Sequence, residues 1–125
     1  MTTPPSEFSL IVTAVSHVLN VEVAGDLDHE TSEQLVRTVT EHLTPGAPFR
    51  QLRLDFRRLT WIDSMGLSAL LAVHRHARVA GVGLRLDGRP VFLDRLLHLT
   101  GTLPFLTATT TVLRAGGRDR TADAG

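Results

Sequence analysis

The stretch that most constrains this chain is 58–71, R-L-T-W-I-D-S-M-G-L-S-A-L-L. An alternating segment with Leu52, Leu54 and Phe56 on one side comes just before it. A long helical pattern follows, with Leu67, Leu70, Leu71 and Ala77 supplying its buried face. Asp63, Ser64 and Gly66 therefore fall on a strand-to-helix turn. A hydroxyl there is exposed at the positive end of a helix dipole, where a phosphate is readily held.

Before this turn, residues 8–15 read as a strand rich in β-branched and apolar side chains. Residues 18–24 read as a second, with Leu19, Val21 and Val23 facing one way and Asn20 and Glu22 the other. The short spacer at Ser16 and His17 predicts an antiparallel hairpin. A polar turn follows over 25–30. Thr31-Ser-Glu-Gln34 has capping-box spacing, ahead of a helix carrying Leu35, Val36, Val39 and Leu43. Pro45, Gly46 and Pro48 end that helix.

After the turn, a helix over about 64–80 closes on Gly81, a fourth strand runs over 82–87, and Pro90 opens a further helix reaching Gly101. Residues 105–113 fit either a strand or a short terminal helix. The segments 51–56 and 82–87 alternate apolar residues with an Arg and an Asp, whereas parallel strands buried on both faces read as continuous apolar runs. The expected fold is therefore a two-layer α/β domain. It has a mixed β-sheet with an N-terminal antiparallel hairpin, helices packed on one face, and the other face at least partly wet. Domain limits are expected at 7–114, with a flexible leader over 1–6 and a disordered tail over 115–125.

Composition narrows the chemistry. Equal numbers of acidic and basic residues give no net charge and no reason to expect a nucleic-acid partner. The absence of cysteine excludes disulfides and thiolate chemistry, and fits a reducing cytoplasm. All thirteen basic residues are arginine, so no lysine Schiff base can form. No signal peptide and no apolar run of membrane-spanning length is present, so membrane insertion is not expected. The six histidines lack ligand spacing, so no metal is expected; His74 and His76 point in different directions on a helix.

Two chemistries compete for Ser64 besides simple helix capping by Asp63 or Ser64. A nucleophile elbow requires G-x-S-x-G; Gly66 fits, but Ile62 stands where the first glycine belongs, and no His is obviously placed as base. Regulatory phosphorylation needs only an exposed hydroxyl and a partner that senses the added charge. On the next loop, Gly25 and Asp28 fit turn and capping chemistry. Ser68 and Arg75 lie on the less apolar side of the long helix, as a solvated face or part of a docking surface. Trp61 is expected to pack beside the turn.

I-D-S-M-G-L, preceded by L-D-F-R-R-L-T-W, resembles the signature of STAS-domain anti-sigma factor antagonists. G-D-L-D-H-E-T upstream resembles their G-E-L-D turn. G-V-G-L-R-L and P-V-F-L-D-R-L-L-H-L-T-G downstream resemble their last strand and helix. The match runs over 10–105 with its motifs in order. The resemblance implies a bacterial, cytoplasmic, non-enzymatic regulator that needs no bound cofactor. It would act by partner switching, with Ser64 phosphorylated by an anti-sigma factor that is also a serine kinase. The unphosphorylated form would bind that kinase and free a sigma factor. The phosphorylated form would not bind, and a PP2C-type phosphatase would restore it.

Partner contacts are then expected at Gly25, Asp28, Asp63, Ser64, Met65, Gly66 and Ser68. Asp26 stands where the family often has Glu, and Met65 where many relatives carry a second serine. A helix that relatives commonly add at the end is expected to be short or missing. The alternatives are a STAS interaction subunit of a signalling or transport assembly that is never phosphorylated and, remotely, a small serine hydrolase. A homodimer through the open sheet face or the first hairpin edge fits the pattern.

Overall fold

A computed structural model describes residues 8–107. The expected leader, the tail and most of the ambiguous 105–113 segment lie outside the described residues. Nine elements follow in order: β1 (Ser9–Val15), β2 (Val18–Leu27), α1 (Ser32–His42), β3 (Gln51–Asp55), β4 (Leu59–Ile62), α2 (Ser64–Ala80), β5 (Gly83–Asp87), α3 (Val91–Leu99) and α4 (Leu103–Thr107). The sheet is mixed, as expected. β1 and β2 form the antiparallel hairpin, while β2–β3, β3–β5 and β2–β4 are parallel. The strand order is β1-β2-β3-β5, with β4 taking the far end of β2 beyond β3.

Ser16 adopts a φ of 54°, the left-handed geometry that a two-residue hairpin turn demands. The carbonyl of His17 accepts from the Arg50 N–H at 2.8 Å, which ties the hairpin tip to the start of β3. Strand alternation then sorts the two faces. Leu19 and Val21 lie in register with Leu52 and Leu54, and these with Leu84 and Leu86, while Val23 pairs with Leu10 of β1. Those of β2, β3 and β5 are buried with Leu35 and Val39 of α1, Leu70, Val73 and Ala77 of α2, and Leu93 and Leu97 of α3.

The opposite face carries two registered rows: Asn20, Arg53, Arg85, and Glu22, Asp55, Asp87. Arg53 bridges them, donating to Asp87 and to the Asn20 amide oxygen. Asp55 is only 4% exposed. Hydrogen bonds from the Arg57 guanidinium and main-chain N–H outweigh its desolvation and hold its carboxyl below the usual range.

Three local expectations change. β2 does not stop at Ala24 but continues to Leu27 through a bulge at Gly25/Asp26. Gly25 has φ 94° there, and its N–H donates to the Arg58 carbonyl. The partner it meets is β4, read from sequence as turn. Leu59 and Ile62 are buried at its ends, but four residues are too few for an alternation to show. Finally, Thr31 does not form the capping box. Its hydroxyl accepts from the Asp28 N–H and donates to the Asp26 carbonyl, so it locks the loop rather than the helix.

The least adjustable contact lies where α2 crosses the sheet. A Cβ on Gly66 would stand 2.4 Å from the Leu27 carbonyl oxygen and 2.8 Å from Ile62 Cγ1. A second constrained group is His74, 2% exposed, with no hydrogen-bond partner for Nδ1 among the described residues and its ring 4.3 Å from that of Phe105 on α4. Burial first, then Arg78 and Arg75, push its pKa below the ordinary value of 6.5.

Two predictions follow from these contacts. Gly66→Ala is expected to destabilise the fold by about 3 kcal/mol in urea titration, against about 0.5 kcal/mol or less for exposed Ser68→Ala. His74 is neutral when folded and gains a proton more easily when unfolded. Its contribution is therefore complete above pH 6.5 and falls as the pH drops through 6.5 toward the lower folded value. Denaturation between pH 7.5 and 5.5 is expected to show this loss, at most about 1.4 kcal/mol per pH unit. His74→Leu is expected to flatten it.

Candidate interaction and modification site

The site is assembled by the register between β2 and β4. Leu27 pairs with Ile62, and the Asp63 N–H donates to the Leu27 carbonyl at 3.3 Å. Asp28 and Asp63 therefore leave adjacent parallel strands side by side, about 5 Å apart in the pairing direction. From there one chain enters the loop to α1 and the other enters α2.

Asp63 is extended (φ −119°, ψ −169°) and caps α2, its Oδ1 accepting from the Gly66 N–H at 3.0 Å. That settles the capping alternative: Asp63 holds the helix, and Ser64 is left as its first residue. The Ser64 side chain is exposed and has no hydrogen-bond partner among the described residues. Met65 is 49% exposed beside it, and Ser68 is exposed one turn further along α2.

Asp28 is rigidly placed. Its Oδ1 accepts from the N–H groups of Glu30 and Thr31 and from the Thr31 hydroxyl. Desolvation opposes its charge, but those bonds and neighbouring His29 outweigh it and lower the pKa. Asp26 accepts from the Thr60 hydroxyl at 2.6 Å. Among the described residues, none of Asp26, Asp28 and Asp63 forms an ion pair. The rim around Ser64 is thus fixed and uncompensated in charge.

Two expected contacts are framework instead of surface. Gly66 is packed against Leu27 and Ile62, and Gly25 is buried within β2. Each shapes the site while presenting no side chain to it. No histidine hydrogen-bonds Ser64 among the described residues. Nor does any group of His, Asp and Glu there have the arrangement of a metal site.

Trp61 departs from the packing role expected of it. It is 55% exposed on β4, between the buried ends Leu59 and Ile62. With Phe92, Arg95, Leu96 and Leu99 it lines an open groove of about 450 Å³. Thr60 joins this groove to Asp26 and hence to the acidic loop. The signal lay in α3: Val91, Phe92, Leu96 and Leu99 add apolar residues beyond the buried Leu93 and Leu97, more than one core-facing stripe uses.

Residues 11–103 match the family described as Mlab, STAS domain. Among solved structures, the anti-sigma factor antagonist SpoIIAA in its unphosphorylated form superposes with a TM-score of 0.66 at 20% identity, over 92% of this chain and 89% of that one. The phosphorylated form of the Bacillus protein gives 0.63 at 21%, over 90% and 100%. An anti-sigma factor antagonist from Mycobacterium paratuberculosis gives 0.67 at 23%, over 85% and 87%. A sulfate transporter family protein from Wolinella succinogenes gives 0.66 at 21%, over 77% and 76%. The family match over most of the chain and the shared mixed-sheet architecture agree: this chain belongs to the STAS-domain family.

Proposed function

We propose that this chain is an anti-sigma factor antagonist whose partner binding is switched by phosphorylation of Ser64. The observation that carries the reading is the geometry of Ser64 itself. Its hydroxyl is exposed, takes no part in holding the fold, and begins a 17-residue helix already capped by Asp63. A phosphate there costs the domain no hydrogen bond, and the helix terminus tolerates its charge. The same phosphate adds about −1.5 to −2 charge beside Asp28 and Asp63. A docked partner then meets like-charge repulsion and a desolvation cost, so binding reverses while the fold stays intact.

The docking surface in this reading spans the Asp28 loop, the Ser64–Ser68 face of α2 and the Trp61 groove. The partner is a serine kinase that is also the anti-sigma factor, and a PP2C-type phosphatase resets the switch. The chain is the substrate of this chemistry and not its catalyst. A serine-directed acylating probe is accordingly expected to leave Ser64 unlabelled.

The test is intact-mass spectrometry after incubation with ATP and a kinase-active lysate of the source organism. One phosphate adduct is expected on the wild type and none on Ser64→Ala. The kinase, once purified, is expected to quench or shift Trp61 fluorescence on binding wild type and Ser64→Ala, and to bind Ser64→Glu at least about tenfold more weakly. No adduct on either protein, or tight binding of Ser64→Glu, overturns the switch.

The transporter-family neighbour is compatible with one second reading. In it the domain is a constitutive interaction subunit of a transport or signalling assembly, never phosphorylated, and it binds equally well with Ser64→Ala. An absent adduct together with retained partner binding selects this reading.

A further inference from the structure

The outer strands of the β1-β2-β3-β5 path are guarded unequally. β5 is five residues long, carries Arg85 and Asp87, and has α4 packed against it. β1 is seven residues long and reads S-L-I-V-T-A-V, with no charge, no proline and no bulge in its ladder to β2. Natural edge strands are normally blunted by one of those devices, because an open row of N–H and C=O groups pairs with any compatible strand. Among the described residues, no hydrogen bond outside the β1–β2 ladder involves residues 9–15. Ile11 is 49% and Val15 61% exposed on the open face, and Thr13 between them is exposed too.

We propose that β1 is a self-association edge, pairing antiparallel with β1 of a second copy to make one continuous sheet through a two-fold dimer. Antiparallel pairing of a strand with itself closes on two copies, which a parallel arrangement does not do. Neutrality favours this occupant as well: β1 brings no charge to repel its own copy, and the chain has no net charge.

A two-fold centred on Val12 sets Ile11 opposite Thr13 of the partner subunit, and Ser9 opposite the partner's Val15. The axis runs normal to the sheet, so both helical layers lie on the same side. Because β2 runs oppositely in the two copies, the two Ser64 turns stand at opposite ends of the joined sheet. Self-association therefore leaves both turns open, and this inference does not depend on the function proposed for them.

The test is sedimentation equilibrium of the full chain from low to high micromolar concentration. The wild type is expected to reach twice the chain mass. Ile11→Lys/Thr13→Lys sets lysine against lysine twice across the axis and is expected to weaken association at least about tenfold. Ile11→Lys/Thr13→Glu sets opposite charges across the axis and is expected to restore it. Glu22 lies opposite Ile11 on β2 and offers a lysine there a partner, so both variants are compatible with the fold; circular dichroism checks this. A wild type that stays monomeric overturns the proposal whatever the variants do. So does a dimer that survives the double lysine change, or one in which the Lys/Glu variant behaves as the Lys/Lys variant does.

Discussion

The structure turns on one backbone approach: the first turn of α2 resting on the Leu27 carbonyl. Only a residue without a Cβ permits it. The same carbonyl accepts from the Asp63 N–H, so one peptide group at the end of β2 fixes both where β4 ends and where α2 begins. Everything exposed at the site inherits its position from that contact. Asp63 is turned to cap Gly66, Ser64 is left facing solvent, and Asp28 emerges from the neighbouring strand end. The modification proposed for this hydroxyl requires a scaffold that does not depend on it. Here the local hydrogen bonds are made by Asp63, Asp26, Asp28, Thr31, Thr60 and the backbone, and none by the Ser64 side chain among the described residues.

Much of this was legible in the sequence because it rests on periodicity. Leu19, Val21 and Val23 against Asn20 and Glu22, and the Arg/Asp alternation in β3 and β5, announce a sheet with one wet face. The wet face is better knitted than that pattern implies. Arg53 reaches across strands to Asp87 and Asn20, and Asp55 is nearly covered by Arg57. Charge rows that look merely solvated thus form a cross-strand network, and only the parallel register reveals which residues meet.

What stayed hidden depends on tertiary pairing. β4 has four residues and follows two arginines, so its identity comes from Leu27 and the bulge at Gly25 and not from its own pattern. Thr31 satisfies a local capping rule, yet the Asp26 carbonyl and the Asp28 N–H claim its hydroxyl first. His74 lies at helical spacing from Leu70, Leu71 and Ala77, so its burial was legible in the pattern, but its polar ring drew it out of the expected core. His76 falls off that stripe and is exposed, while Phe105 of α4 packs its ring against His74. Trp61 was assigned to packing because aromatic residues usually pack. The short β4 instead places its ring at the rim of a groove facing α3.

These details divide the surface by physical character. Around Ser64 there are unpaired carboxylates on a rigid loop, where an added charge acts at once and without conformational change. Beside them lies an apolar groove with Arg95, where desolvation supplies affinity and charge matters less. Under the proposed switch, a partner spanning both would gain its binding energy from one region and its sensitivity to phosphate from the other. Such a division lets a modification of a few atoms reverse an interface that is mostly apolar, because the repulsion need only offset the net binding free energy and not the whole of the buried area. The outer edge of β1 faces away from β4 across β2, and the two-fold proposed for it sets the two Ser64 turns at opposite ends of the joined sheet. It can therefore join two copies without altering the electrostatics of either site.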